Sequence, residues 1–423
     1  MKRNHWILPA AALTTALIAI LIFAGSGIAQ DFGLYRSLGQ KLYFDTTLSE
    51  PDGQSCASCH EPTVGFDDPD SDLPVSEGVI PGLFGTRNAP ISAYAMYAPA
   101  FHFDNVEGLY IGGQFWDGRA TGGELGDPLA DQAVGPFLNP VEMANADKEM
   151  VLADILDGPY AILFTRVCGR GDLQDQTYVD NAYDCVGVAI GMFERSNTFA
   201  RFNSKYDFYL RRCLALGGLP QNCAEAVGPI AYQAADNLLT AQEWHGMRLF
   251  MGPNNNDGVL DPGEGAGCEG CHVADWVDPA SYSLHVVVPF QSTNMIPPLF
   301  TDFSYDNLGA PKSDHPLLVG NPVDYGLGGV LSEAAENGKF KVMGLRNIGQ
   351  SAPYLHHGLF DTLEEVVHFY NTRDVVAEGW AAPEVPETVN SDELGNLGLS
   401  TADEEAIAAF MRTLDDGWDG WLP

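Results

Sequence analysis

The residues best suited to chemistry lie in two copies of one five-residue motif. The copies are Cys56-Ala57-Ser58-Cys59-His60 and Cys268-Glu269-Gly270-Cys271-His272. Cys-x-x-Cys-His is the attachment motif of c-type haem, in which both thiols bond to the porphyrin and the histidine ligates the iron. A pair of zinc half-sites would explain the cysteines but would leave both histidines without a role. The motifs therefore predict two covalent c-type haems on one chain.

The second axial position of each iron determines what each haem does. His60 and His272 fill one position each. An open second position allows peroxide to bind, whereas a filled one mainly supports electron transfer. The deciding residues must therefore come from segments that the fold brings to the two motifs.

Those segments are predicted to be mainly helices and long loops. Two capping boxes, Thr240-x-x-Glu243 and Thr362-x-x-Glu365, each indicate the start of a helix. A short β-like run is expected at 285–288. The two prolines within 132–143 predict a shaped loop there. Further helices are expected at 32–43, 147–156, 183–193 and 402–414.

Charge and the N-terminal segment indicate an exported protein. The net charge of -36, from 57 acidic and 21 basic residues, excludes binding to nucleic acid or anionic lipid by charge attraction. Residues 1–29 have a positive start, a long apolar run and small residues before a cleavage site after Ala29, as export signals do. An uncleaved membrane anchor is the alternative, because the run nearly reaches the length of a bilayer span. We expect a periplasmic location.

Four cysteines lie outside the haem motifs and are expected to form two disulfides, since their number is even and the compartment is oxidising. Pairing of sequence neighbours gives Cys168–Cys185 and Cys213–Cys223, but three pairings remain open. The segment 201–236 is the expected boundary between an N-terminal haem domain, 30–235, and a C-terminal haem domain, 236–423.

Several longer strings resemble the bacterial di-haem cytochrome c peroxidase family, including its MauG-type enzymes. The similarity extends from the first haem motif to the final helix and implies a mainly α fold of two cytochrome c-like domains, each with one haem. The insertion with the four extra cysteines and the stretch near His102 lie outside it. The matching strings are TRNAP at 86–90, FWDGR at 115–119, NPVEM at 139–143, LRN at 345–347, APYLH at 352–356 and TLEE at 362–365.

The resemblance implies that peroxide reacts at the N-terminal haem and that the C-terminal haem relays electrons. Glu142 would be the acid-base residue, with Gln132 and Pro136 in the same pocket. A carboxylate beside the iron suits this role, because O–O cleavage requires a proton to move between the two oxygens. Trp116 would lie between the haems and couple them.

Two features distinguish this chain within the resemblance. Between Glu61 and Phe101 it has no histidine to block the first iron, and only His102 could reverse that inference. Tyr370 stands where many members place a methionine ligand to the second iron, with Met343 as the alternative ligand. A phenolate stabilises the higher oxidation states of iron, whereas methionine raises the potential. Both features favour the MauG-type branch, which includes di-haem enzymes associated with methanobactin operons.

Calcium is the other expected cofactor. The resemblance implies one ion between the domains, held by the Asn88 side chain and the carbonyls of Ser351 and Pro353. A second ion is suggested by residues 255–264, whose acidic side chains partly match a calcium loop, although an acidic turn explains them equally well.

We therefore expect a haem enzyme that reacts with hydrogen peroxide and oxidises a partner protein, especially its tryptophan residues. The first alternative is a cytochrome c peroxidase that takes electrons from a small periplasmic cytochrome or cupredoxin. The second alternative is a di-haem electron carrier, which would require a strong second ligand, such as His102, at the first iron.

Overall fold

The computed structural model describes residues 32–290 and 293–420, and the fold within them is mainly helical. Two small antiparallel pairs form the strands, β1 (His102–Asp104) with β2 (Leu109–Ile111) and β3 (Tyr305–Asp306) with β4 (Phe340–Lys341). Long turns and loops connect the rest. The α-helices are α1 (Phe32–Tyr43), α2 (Cys56–Cys59), α3 (Pro128–Ala133), α4 (Gly135–Leu138), α5 (Lys148–Asp157), α6 (Ala161–Cys168), α7 (Gln176–Glu194), α8 (Lys205–Ala215), α9 (Pro220–Ala224), α10 (Gly228–Ala235), α11 (Ala241–Met251), α12 (Gly326–Leu331), α13 (Leu363–Thr372) and α14 (Thr401–Arg412).

Two tight helix crossings flank the haem motifs. α1 crosses α7 at Gly39, where an added Cβ would lie only 1.8 Å from the Ala189 carbonyl oxygen. α11 crosses α14 at Gly246, where a Cβ would lie 1.7 Å from the Ala406 carbonyl oxygen. Only glycine allows two helix backbones to approach so closely. Since α1 precedes the first haem motif and α11 precedes the second, each motif follows a helix fixed by such a crossing.

Local sequence signals located most of the long helices correctly. α1 has the predicted bounds, and both predicted capping boxes form, with Thr240 accepting from the Glu243 backbone N–H and Thr362 from that of Glu365. The prediction for α7 was too short, because Asp175 caps its true start by accepting from the Thr177 backbone N–H. These helix starts depend on contacts within a few residues, which a sequence displays directly.

Two local predictions were wrong. The segment 132–143 is not all loop, because Pro136 occupies the first turn of the short helix α4, where no intrahelical N–H is required. The run 285–288 forms no strand. Its Val286 and Val287 are buried instead, and the Val287 carbonyl accepts a 2.7 Å hydrogen bond from the Tyr97 hydroxyl. An apolar run can thus be buried without pairing as a strand.

Two disulfides join neighbouring helices in the segment 168–223. Cys168 bonds to Cys185 between α6 and α7, and Cys213 bonds to Cys223 between α8 and α9. These pairs are the sequence neighbours. The segment 201–236 is occupied by α8, α9 and α10. The boundary near residue 235 stays a prediction.

A buried ion pair joins α8 to one of the family strings. Arg346 lies 3.0 Å from Asp207, and their side chains are 1% and 0% exposed. The Arg346 Nε also donates to the Pro298 carbonyl at 2.8 Å. Four aromatic rings surround the guanidinium at 5.1–5.8 Å, those of Tyr94, Phe202, Tyr206 and Phe300. Arg346 therefore ties residues far apart in sequence into one core.

The expected export signal at 1–29 lies outside the described residues. Within 32–290 and 293–420, no helix has both the length and the hydropathy needed to cross a membrane.

Candidate active site

The first haem motif opens into a cavity of about 550 Å³. Cys56 and Cys59 lie on α2, whose start is fixed by a capping box between Ser55 and Ser58, and His60 ends this helix. All three motif side chains line the cavity. Burial lowers the pKa of His60 to about 4, so its imidazole is neutral, as iron ligation requires.

The three residues predicted to flank the peroxide site face this same cavity. Gln132 lies on α3, Pro136 on α4, and Glu142 in the turn that follows α4. Asp127 caps α3 and accepts two hydrogen bonds from the Arg195 guanidinium, at 2.7 and 3.0 Å. This buried pair anchors the start of α3. The structure thus brings the predicted pocket residues to the first motif.

Two neighbours set the charge state of Glu142. Burial raises the pKa of its carboxyl group, while the Arg119 guanidinium and the Asn139 amide lower it. The Asn139 Nδ2 donates to Glu142 Oε1 at 2.9 Å. Arg119 is held by Asp117 and stacks 3.7 Å from the centre of the Phe115 ring. Because burial raises its pKa, the Glu142 carboxylate takes up a proton more readily than an exposed one, as an acid-base residue must.

The second haem motif lines a larger cavity of about 1460 Å³. The His272 Nδ1 lies 2.9 Å from the Phe300 carbonyl oxygen. A carbonyl can only accept, so Nδ1 carries the proton and Nε2 keeps its lone pair for a metal. Cys268 and Cys271 line the same cavity as His272. The donor set again matches a c-type haem.

Both candidate ligands for the second iron line this cavity. Tyr370 lies near the end of α13, and burial raises the pKa of its hydroxyl well above the usual range. Met343 lines the same cavity, and its backbone lies near the His272 ring, whose pKa is lowered by burial.

Trp116 lies between the two cavities and contributes to the wall of both. Its Nε1 donates to the Asn88 carbonyl at 2.9 Å, and its ring lies 6.4 Å from that of His356. The hydrogen bond fixes the orientation of the indole. Three other residues also line both cavities, namely Asp324, Lys341 and Met343.

The sequence interpretation missed three charged residues at the cavities. Lys341 is buried, its Nζ donates to the Gly113 carbonyl, and burial lowers its pKa to about 7. Glu194 lines the first cavity, and burial raises its pKa to about 8. Arg346 lines the first cavity as well. The detectable signal was a charged residue within an apolar stretch, as Glu194 is at the end of VAIGMFE.

These groups also fit a haem, which carries two propionate carboxylates. The Arg346 Nη2 is buried and has no hydrogen-bond partner among the described residues. A carboxylate-bearing cofactor in the first cavity would supply that partner. The first cavity has the usual size of a cofactor site, and the second cavity is larger. The residues present therefore fit a covalently attached haem in each cavity.

His102 does not reach the first cavity. It lies on strand β1, is exposed, and its Nδ1 is 2.8 Å from the Ala100 carbonyl oxygen. His60 is the only histidine among the described residues that line this cavity.

The predicted calcium ligands are brought only partly together. The Asn88 backbone N–H donates to the His356 carbonyl at 2.8 Å, which places Asn88 beside the segment that carries Ser351 and Pro353. Among the described residues, one group of three potential ligands converges, Cys271, Asp306 and Glu393, and it belongs to the second cavity. In the loop at 255–264, side chains cap their own backbone, as Asp257 does for the Val259 N–H at 2.9 Å.

Comparison with known proteins identifies the family. The family model for di-haem cytochrome c peroxidase matches residues 35–213. The methylamine utilization protein MauG of Paracoccus denitrificans is 32% identical over 401 residues, which cover 90% of this chain and 88% of that protein. The chain belongs to the di-haem cytochrome c peroxidase family. The family implies two c-type haems, in agreement with the two donor sets.

Other members of the family show the same extent of similarity. Cytochrome c551 peroxidase of Nitrosomonas europaea is 27% identical over 380 residues, which cover 89% of this chain and 78% of that protein. The crystal structure of the diheme peroxidase BthA from Burkholderia thailandensis E264 aligns with a TM-score of 0.70 at 28% identity, covering 90% of this chain and 86% of that one. The protein therefore has the diheme peroxidase fold and is a haem-dependent oxidoreductase that acts on peroxide.

Proposed function

We propose that this family member reduces hydrogen peroxide in the first cavity and takes the electrons from a partner protein, as a MauG-like enzyme. A haem bound to Cys56, Cys59 and His60 would supply an iron that coordinates peroxide and is oxidised by it. One observation carries the proposal. No second histidine lines the first cavity within the described residues, while Glu142, Gln132 and Pro136 do.

Glu142 moves the proton in this proposal. Its carboxylate accepts a proton from bound peroxide and returns it to the departing oxygen, which then leaves as water. The Asn139 amide holds the carboxylate in place by a hydrogen bond, and Arg119 and Asn139 both favour its charged form. Gln132 lines the cavity as an amide that can donate to either oxygen.

Trp116 connects the two cavities. Its ring forms part of both walls, and its N–H is held by the Asn88 carbonyl, so the indole is fixed where both haems would approach it. An indole is among the more easily oxidised side chains. We infer that Trp116 allows the two sites to share the oxidising equivalents of one peroxide.

Tyr370 is proposed as the second ligand opposite His272. The position of Tyr370 in the wall of the cavity that contains His272 supports this choice. We expect Tyr370→Phe to change the absorption spectrum of the second haem and Tyr370→Met to raise its midpoint potential, because a hard anionic ligand is lost. Spectroelectrochemical titration measures both effects. If Met343→Leu produced these changes and Tyr370→Phe did not, Met343 would be the ligand.

Two alternatives remain as second candidates. A cytochrome c peroxidase fed by a small cytochrome or cupredoxin is favoured by the relatives that carry that name, such as the Nitrosomonas europaea protein. A di-haem electron carrier is less consistent with the site, since His102 lies outside the first cavity. The first alternative differs from the main proposal in the source of electrons, and the second differs in requiring a second ligand at the first iron.

Three further features belong to the proposal. Asn88, Ser351 and Pro353 would hold a structural calcium ion near Trp116, and residues 255–264 are a candidate for a second one. The segment 1–29 would direct export to the periplasm, where c-type haem is attached. Export suits the four extra cysteines, which form two disulfides in the structure.

Peroxide added to the fully oxidised protein tests the proposal. We expect stoichiometric hydrogen peroxide to change the haem spectrum without prior reduction, because His60 is the only histidine that lines the first cavity in the described part of the chain. Stopped-flow absorption with and without one equivalent of reductant gives the comparison. A protein that reacted only after reduction would require a blocked first iron and would contradict the proposed site.

A further inference from the structure

A surface groove adjoins the second haem cavity. It encloses about 480 Å³ between α10, α11 and the turn after α9. Glu225, Met251 and Gly252 line both the groove and the cavity that contains His272. Single residues thus separate the outer surface from the second haem site at this point.

Two oxidisable aromatic side chains lie at this groove. Trp244 is half-buried on α11, and Tyr232 is 62% exposed on α10, with 6.1 Å between their ring centres. Trp244 also contacts Tyr209 at 6.3 Å, and Tyr209 contacts Tyr206 at 5.9 Å. Tyr206 lies 5.2 Å from Phe300, whose carbonyl accepts from His272. Aromatic rings therefore connect the iron ligand to the surface.

The hydrogen bonds show which of these side chains can hold a radical. The Tyr209 hydroxyl donates to the Cys223 carbonyl at 2.8 Å, and the Tyr206 hydroxyl donates to the Ala224 carbonyl at 3.4 Å. A carbonyl is a poor proton acceptor, and both hydroxyls have a raised pKa because they are buried. An exposed tyrosine can release its proton to water. Trp244 and Tyr232 are therefore the side chains suited to one-electron oxidation.

The groove is lined by exposed apolar side chains and by one residue of each charge. Val227 and Tyr232 are 51% and 62% exposed, and the charged lining residues are Glu225 and Arg248. The whole chain, in contrast, has 21 basic and 57 acidic residues. An exposed apolar patch on a soluble protein is a common mark of an interaction site. A neutral or acidic protein can approach this face with less repulsion than elsewhere.

We propose that this groove is where the partner protein docks and gives up its electrons, through Tyr232 and Trp244. The inference rests on the proposed function. The groove binds an oxidisable aromatic side chain of the partner protein. The partner's docking face is apolar and not basic. One hydrogen peroxide takes up two electrons and two protons to give two water molecules. The partner side chain loses these two electrons one at a time, and Tyr232 regains its proton each time it is reduced.

Radical trapping on the haem-loaded, full-length protein tests the exit route. The oxidised protein is treated with one equivalent of hydrogen peroxide and the spin trap 2-methyl-2-nitrosopropane, and adducts are mapped by mass spectrometry. We expect adducts at Tyr232 and Trp244, with at least a tenfold loss of adduct at Tyr232 in Trp244→Phe. Trp418→Phe is the matched control, since Trp418 is also half-buried but packs on Phe208, away from the groove.

Docking is tested separately with N-acetyl-tryptophanamide as the probe. Val227→Arg places a longer, charged side chain at the groove and leaves the Trp244 side chain itself unaltered. We expect it to slow peroxide-driven oxidation of the probe at least fivefold while leaving spin-trap adducts at Trp244 unchanged. Tyr232→Phe, at an exposed position that tolerates the change, should move adducts from residue 232 to Trp244.

The outcomes separate the two proposals. Normal peroxide consumption with adducts mapped elsewhere, or adducts unaffected by Trp244→Phe, overturns the groove as the exit and leaves the proposed function intact. Probe oxidation that is unchanged in Val227→Arg overturns docking at the groove. No reaction of any variant with peroxide overturns the proposed function and the exit together.

Discussion

Replacement of Glu142 by glutamine should slow the reaction with peroxide on the order of 10²- to 10⁴-fold, the usual loss when a positioned acid-base group is removed. Glutamine keeps the size of the side chain and can still accept from Asn139 Nδ2, which donates to Glu142 Oε1 at 2.9 Å. Only proton transfer is therefore lost. Stopped-flow absorption measures the rate, and the haem spectrum before mixing verifies that both haems are attached.

The pH profile distinguishes this role from a structural one. Burial raises the pKa of Glu142, and the carboxylate must be deprotonated to act as a base, so the wild-type rate should fall as the pH drops through that pKa. The Glu142→Gln variant should lack this acid limb. Glu149→Gln, on α5 away from the cavity, should behave as wild type. An unchanged rate in Glu142→Gln would exclude Glu142 from the chemistry.

Replacement of Arg346 by methionine should lower the free energy of unfolding by about 3–5 kcal/mol, because it leaves the fully buried Asp207 carboxylate without its counter-charge. Methionine retains most of the apolar volume between the four surrounding rings. Urea unfolding followed by circular dichroism measures the change. The double variant Arg346→Met, Asp207→Asn should recover a large part of the loss, since no buried charge remains.

An exposed ion pair provides the control. Arg412 and Glu364 lie 2.7 Å apart, with side chains 46% and 40% exposed, so Arg412→Met should cost only about 0–1 kcal/mol. Equal losses in the two single arginine variants would show that burial does not control the strength of these pairs. A loss of haem content in Arg346→Met would add evidence that its remaining N–H groups contact the cofactor.

Features encoded within a few residues were predictable. The haem motifs, the capping boxes at Thr240 and Thr362 and the bounds of α1 follow from neighbouring side chains and backbone groups. The two wrong local predictions concern segments whose sequence is compatible with more than one structure. Pro136 was interpreted as a helix breaker but occupies a first turn, where proline is tolerated. The run 285–288 has strand-like composition, but its valines pack into the core without a strand partner.

Residues whose importance depends on distant partners could not be located from sequence. Lys341 is unremarkable in the printed chain, and its special position follows from β4 lying between the two cavities. Glu194 ends an apolar helix segment and looks like a surface residue until α7 places it in the wall of the first cavity. His102 was the sequence candidate for a second ligand at the first iron. The structure places it on strand β1, outside the first cavity.

The sequence by itself showed two Cys-x-x-Cys-His motifs, which predict two haems, and the string that contains Glu142, because these are contiguous patterns that can be recognised without a fold. Only the tertiary structure decided that Trp116 and Lys341 belong to both cavity walls. It also decided that Trp244 and Tyr232 line a groove that adjoins the second cavity. The physical reason is that a cavity is formed by packing between segments far apart in the chain, and no local spacing records which segments meet.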